Sequence, residues 1–206
     1  MAGLFEIKKE IAGMSELALS MWRQTHKTFL EHNEDLIQGI LDDENTLNDL
    51  EKKLTSRLLE AGRKSVDPAE KSQIFIYADV VADIELIGDY CKDILERIQI
   101  KIEEKLLFSE ETVKEYEDLY RKTEAAFDEV VCALQRDNPD ILKVVLKSEE
   151  HIDALVDRYR TSHNERMLAG VCTPLGCNMY LNMLDFTAAV YYHTKKIARN
   201  LLKLKG

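Results

Sequence analysis

The sequence is poor in residues that interrupt helices, with 3 prolines and 8 glycines among 206 residues. This scarcity excludes a β-sandwich, which needs many turns. A content of 45% hydrophobic and 32% charged residues excludes a disordered chain. The composition therefore favours an all-α fold, and the length allows one large domain or two of about 100 residues each.

Positive charge is also in deficit, since 28 Lys and Arg face 38 Asp and Glu for a net charge of -10. A nucleic-acid backbone is excluded as the main partner because the chain has no excess of cations to replace counterions. The longest uncharged run, residues 167–184, falls short of the roughly 20 apolar residues that span a bilayer. The N-terminus becomes charged too early for a signal peptide. We therefore expect a cytoplasmic protein that does not span the membrane.

Catalytic motifs are missing as well. The sequence contains no phosphate-binding glycine loop, no dinucleotide-binding turn and no nucleophile elbow. None of the five histidines follows an acidic residue by three positions, as di-iron helical bundles require. We predict that the protein is not an enzyme. His163 is interpreted as a solvated residue of a charged helix, and His193 as a core residue with satisfied hydrogen bonds.

The four cysteines lack the paired spacing of a structural zinc site. Two of them lie inside apolar helical patterns. Cys172 and Cys177 share a short connector and are near enough in sequence to pair. The expectation for all four is nevertheless a reduced thiol in a cytosolic protein.

Prolines and capping residues place the helix boundaries. Each proline directly follows a good N-cap residue, as in Asp67-Pro68, Asn138-Pro139 and Thr173-Pro174. Asn33 and Ser109, each followed by two acidic residues, indicate two further starts. The sequence thus predicts six helices joined by short connectors, at about 3–31, 33–62, 67–106, 109–137, 138–169 and 173–204.

The chain also repeats itself. Residues 44–50 align with residues 149–155 at an offset of 105, and Asn33 falls on Asn138 at the same offset. This predicts two related three-helix bundles, at about 1–107 and 108–206.

An acidic ladder interrupts the apolar pattern of the third helix. Glu85, Asp89 and Asp93 are four residues apart, so they lie along one line of the helix surface. Like charges at this spacing repel by a few tenths of a kcal/mol per pair. A solvated surface, cations from a neighbouring helix and a bound metal ion all remain open. Gly88 lies on the apolar side, where we expect it to allow close approach of another helix.

Residues 85–94 resemble the Glu-x-Ile-Gly-Asp-x-x-x-Asn-Ile signature in the third helix of PhoU proteins, the regulators of bacterial phosphate uptake. The fifth helix is similar to that of PhoU-like domains, particularly those of sodium/phosphate cotransporters, at Glu149, Ile152, Asp153, Leu155, Ser162, His163, Arg166 and Gly170. The resemblance covers nearly the whole chain. It implies two three-helix bundles, each with a surface metal cluster.

The resemblance assigns candidate metal ligands in each bundle. The first bundle offers Glu44, Asn48, Glu85, Asp89 and Asp93, with the amide of Asn48 contributing no charge. The second is degenerate: Glu149 and Asp153 match, but Ala188 and Tyr192 stand where Glu and Asp are expected. We expect the second site to be empty. Iron, manganese, zinc and magnesium are the metals considered for the first.

The function that the resemblance implies is regulation of phosphate uptake by docking on a phosphate transporter or sensor kinase at the cytoplasmic membrane face. Such a protein is peripheral to the membrane. The sequence leaves open whether it forms a homodimer. One alternative is the soluble domain of a sodium/phosphate cotransporter, and another is a metal-binding scaffold with no phosphate role. The sixth helix has more than one apolar stripe, so Tyr191 and Tyr192 are either covered internally or form a partner surface.

Overall fold

The computed structural model describes residues 2–147 and 149–205, without the side chains of residues 2, 3, 149–151 and 205. These ranges form an all-helical structure without strands, which confirms the predicted fold class. Seven α-helices occur in them: α1 Ala2–Glu31, α2 Asp35–Lys64, α3 Pro68–Glu103, α4 Glu110–Gln135, α5 Leu142–Lys147, α6 Glu149–Leu168 and α7 Pro174–Leu202. Short 3-10 turns occupy Pro139–Ile141 and Lys203–Lys205. The predicted fifth helix thus corresponds to the first 3-10 turn followed by α5 and α6.

Capping side chains begin the helices where the sequence places them. Asp67 accepts a hydrogen bond from the Ala69 N–H at 3.0 Å, and Thr173 accepts one from the Gly176 N–H at 3.2 Å. Ser109 caps α4 in the same way. Each contact satisfies a backbone donor that the first helical turn leaves unpaired. The local sequence therefore indicates where these helices start.

Helix α3 is the central element of the bundle. It packs against α1 and α2 on one side and most extensively against α7 on the other, while α4 packs against both α1 and α7. The buried apolar side chains form one continuous cluster. The division into bundles at 107/108 stays a prediction. None of the helices in the described ranges combines the length and apolar character that a membrane span requires.

A buried carboxylate links α3 to α7. The Asp83 side chain is fully buried, and its Oδ1 accepts a hydrogen bond from Lys196 Nζ at 2.8 Å. His193 Nδ1 lies 2.9 Å from the same oxygen, so this histidine is paired, as its interpretation as a satisfied core residue requires. Because a buried charge is tolerated only when it is paired, this contact fixes how α7 sits on α3.

Gly88 allows α2 to approach α3 closely. A Cβ atom built on Gly88 would lie 2.2 Å from Cδ2 of Leu47, which is itself fully buried. This contact agrees with the expectation that Gly88 allows close approach of another helix. If residue 88 carried a methyl group, the Leu47 side chain would have to move within a packed core.

We predict that Gly88→Ala lowers the free energy of unfolding by about 1–3 kcal/mol, the usual cost of overpacking a core. Chemical denaturation followed by circular dichroism measures this change. Gly39→Ala on α2 is the matched control, because nothing lies within 4 Å of the added methyl group. This control should be neutral or stabilise by up to about 1 kcal/mol. Equal effects of the two variants would contradict the close approach.

Candidate metal site

Glu44 is a buried carboxylate at the seam between α2 and α3. Its side chain has only 6% of its surface exposed, and its Oε1 accepts hydrogen bonds from Asn48 Nδ2 at 3.0 Å and from Lys92 Nζ at 3.1 Å. Sequence reasoning selected Glu44 and Asn48 but missed Lys92. Lys92 therefore offsets part of the negative charge, but it belongs to α3 itself and not to a helix next to the acidic ladder.

Glu85 and Asp89 lie half-buried on the same face. Burial raises the pKa of Glu85, and the negative charges of Asp89, Glu51 and Glu44 raise it further. Burial likewise raises the pKa of Asp89, and Glu44 is the next largest cause. The pKa shifts of both residues therefore have the same two causes, which are burial and repulsion by the neighbouring carboxylates. The negative charge of Glu44, Glu85 and Asp89 together exceeds the single positive charge of Lys92.

Asp93 lies at the far end of this face. It is half-buried, and its charge adds to the raised pKa of Asp89. We call this surface the acidic face. It comprises the three coupled carboxylates of Glu44, Glu85 and Asp89 together with Asn48 and Asp93.

The donor set of the acidic face fits a hard cation. Carboxylate and amide oxygens are the ligands of magnesium, calcium and manganese. Asn48 Oδ1 is buried and accepts no hydrogen bond, so it is free to act as a ligand. The carboxylates of the acidic face do not, however, bring three ligand atoms within 4.8 Å of one another. Among the described residues, the one group of His, Cys, Asp or Glu that does so is His163, Cys172 and Cys177. A cation at the acidic face would therefore need side-chain movement or bridging water.

The residues matched to a second metal site are arranged differently. The Glu149 side chain lies outside the described part of the structure, and Asp153 is exposed. Lys195 of α7 is buried and interacts with Asp153. Burial lowers the pKa of Lys195, whereas the negative charge of Asp153 raises it. Ala188 is half-buried and Tyr192 is exposed. A lysine therefore supplies positive charge beside the one described carboxylate.

The two tyrosines of the predicted partner surface differ in exposure. Tyr191 is only 6% exposed, and its ring centroid lies 5.1 Å from Lys195 Nζ. Tyr192 is 57% exposed and contacts the His193 ring edge-on. Of the pair, only Tyr192 is available to another molecule in this conformation.

A polar network that the sequence did not predict joins α4, α6 and α7. Glu115 accepts hydrogen bonds from Ser162, Arg166 and Tyr180. Burial alone would raise the pKa of Glu115, but these hydrogen bonds hold it below its ordinary value. The matched positions Ser162 and Arg166 of α6 thus have a structural partner on α4, which no local pattern could reveal.

Two expectations about the region before α7 are wrong. Cys172 and Cys177 form a disulfide across a Cα–Cα distance of 6.1 Å, instead of remaining reduced. His163 is 1% exposed and packs against the Tyr180 ring at 4.4 Å, instead of facing solvent. The burial of His163 results from the packing of α7 against α6, which places the Tyr180 ring beside it.

Comparison with known proteins identifies the fold. Residues 11–98 match the family model of the PhoU domain. The structure is similar to PhoU from Pseudomonas aeruginosa with a TM-score of 0.91 and 16% identity, covering 99% of this chain and 97% of that one. It is also similar to the phosphate transport system regulatory protein PhoU from Streptococcus pneumoniae, with a TM-score of 0.86 and 12% identity over 98% and 94% of the two chains.

No curated protein sequence matches the chain significantly. The family match and the structural matches agree in pointing to PhoU. Residues 11–98 therefore match a PhoU domain in sequence, and the described chain has the PhoU fold along its length, which confirms the resemblance to the PhoU-like family.

Proposed function

We propose that this protein is a non-enzymatic regulator of phosphate uptake that docks on a phosphate transporter or a sensor kinase at the cytoplasmic face of the membrane. The observation that carries this proposal is the PhoU domain match at residues 11–98, together with the PhoU fold over the rest of the chain. The similar protein from Streptococcus pneumoniae is described as a phosphate transport system regulatory protein. Surface contacts, not catalysis, would then transmit the signal.

The acidic face is the proposed cation site of this regulator. Three coupled carboxylates share one seam, the Asn48 carbonyl oxygen has no partner, and Lys92 offsets only part of the charge. A divalent ion such as manganese would neutralise the remaining charge and bridge α2 to α3. Because the Lys92 side chain is 42% exposed, its ammonium group can swing into solvent when an ion binds. In this proposal the lysine and the metal compete for Glu44.

A second reading is a soluble PhoU-like domain of a sodium/phosphate cotransporter. The similarity of α6 to such domains favours it, and the genomic coding sequence decides between the two. A metal-binding scaffold without a phosphate role is the third candidate. It would share the cation site but bind no transport protein.

Manganese titration by calorimetry tests the proposed cation site. Glu85→Gln and Asp89→Asn should each weaken binding at least about tenfold, since each removes a charged ligand. Lys92→Met should tighten binding by about tenfold, equivalent to about 1.4 kcal/mol, because the competing cation is gone. Lys52→Met, at an exposed position of α2, serves as the control. Binding that none of the first three substitutions alters would refute a cation site at this face.

Acid titration of stability tests the charge coupling in protein freed of metal by chelation. Because folding raises the pKa values of Glu85 and Asp89, their ionised forms destabilise the folded protein. This destabilisation is present at neutral pH and disappears as the pH falls and the two groups become protonated. Glu85→Gln should raise the free energy of unfolding at pH 7 by a few tenths of a kcal/mol per relieved pair. The gain should disappear below about pH 4. Asp49→Asn, at an exposed carboxyl of α2, should show no such gain. A loss of stability in Glu85→Gln at pH 7 would contradict the coupling.

Affinity capture tests the docking function. The full chain, used as bait in cells grown with and without phosphate, should recover a phosphate permease, its ATPase or a sensor kinase. Tyr192→Asp should reduce this recovery if α7 supplies the contact surface, whereas Val66→Asp, at a residue 93% exposed elsewhere, should not. Recovery of only unrelated enzymes under both conditions would overturn the proposed function. Unchanged capture by Tyr192→Asp would exclude this part of α7 as the docking surface.

A further inference from the structure

A nitrogen ligand and two sulfur ligands converge where α6 meets the start of α7. Cys172 lies in the connector, Cys177 lies in the first turns of α7, and His163 lies on α6. The ligand atoms of all three residues lie within 4.8 Å of one another. The site is separate from the acidic face and shares no residue with it.

His163 is an unusual buried histidine. The residue is 1% exposed, and neither Nδ1 nor Nε2 makes a hydrogen bond of good geometry. The nearest backbone polar group belongs to Cys177, one of the two cysteines of the cluster. A buried polar group without a partner is destabilising, so each one calls for a specific explanation. The ring packs against Tyr180, whose hydroxyl is already bonded to Glu115. The imidazole is thus held beside two sulfur atoms with its lone pair unused.

The charges around the cluster act in opposite directions. Arg166 disfavours positive charge at His163, whereas Glu115 favours it. Arg166 forms an ion pair and hydrogen bonds with Glu115 within the polar network described above. The two thiolates of reduced Cys172 and Cys177 would supply the negative charge that a divalent ion requires.

We propose that Cys172, Cys177 and His163 form a redox-gated zinc site, closed as a disulfide and open to the ion after reduction. One nitrogen and two thiolate donors are a ligand set that zinc prefers. Two sulfurs on a tetrahedral zinc ion lie about 3.8 Å apart, given a Zn–S bond of about 2.3 Å. Residues that already form a disulfide can reach this separation by small side-chain rotations. Three protein ligands leave the fourth position to water.

The chemical step balances with a dithiol reductant. The dithiol transfers two electrons and two protons to the Cys172–Cys177 disulfide, which becomes two thiols while the dithiol becomes a disulfide. Zinc binding then displaces the two thiol protons as the sulfurs bond to the ion. The bound ion would tie α6 to the connector and to α7, in place of the local disulfide.

Cobalt(II) replaces zinc as the spectroscopic probe, because its bonds to thiolate give charge-transfer absorption that carboxylate ligands do not give. The full chain is reduced with a phosphine under anaerobic conditions and titrated with cobalt chloride, in parallel with the oxidised chain. We expect a thiolate band that saturates at one equivalent in the reduced protein and is absent from the oxidised protein. Zinc added afterwards should abolish the band by displacing cobalt.

Matched variants assign the ligands. Cys172→Ser and Cys177→Ser should abolish the band, and His163→Asn should weaken cobalt binding at least about tenfold. Cys132→Ser, which alters a free, half-buried cysteine, should leave the band unchanged. No band in the reduced wild-type protein, or a band that survives Cys172→Ser, would overturn the proposal even if a variant failed to fold. An unchanged affinity in His163→Asn would remove the histidine from the site.

Discussion

The close packing of α2 against α3 at Gly88 is the constraint on which the rest of the structure depends. Because glycine presents no side chain there, Leu47 fills the seam, and Glu44 is buried beside the acidic ladder of α3. The same contact that completes the core therefore concentrates negative charge. Lys92 offsets part of that charge. Repulsion among the remaining negative charges contributes to the raised pKa values of Glu85 and Asp89. Packing and charge are thus coupled in this seam.

Lysines lie close to carboxylates at three places in the fold. Lys92 pairs with Glu44, Lys196 pairs with the buried Asp83, and Lys195 lies near Asp153. The acidic face differs from the other two places because its carboxylates outnumber the lysine that faces them. This imbalance, not the mere presence of acidic residues, distinguishes it as a candidate cation site.

The elements that the sequence could predict are those decided by local chemistry. Asp67, Ser109 and Thr173 cap their helices with their own side chains, so their boundaries are readable without knowledge of the fold. Helical periodicity likewise identified the seam at Gly88. What remained hidden depended on contacts between distant residues. The pairing of Lys92 with Glu44 joins residues 48 apart, and neither the burial of His163 nor its position beside a disulfide follows from the sequence of α6.

Anomalous diffraction from crystals grown with manganese would decide whether the seam between α2 and α3 binds a cation. We expect one strong peak between α2 and α3, within bonding distance of carboxylate oxygens from Glu44 and from Glu85 or Asp89, with the Lys92 ammonium displaced from Glu44. A map with no peak at this seam, and with Lys92 still bound to Glu44 at saturating manganese, would contradict it.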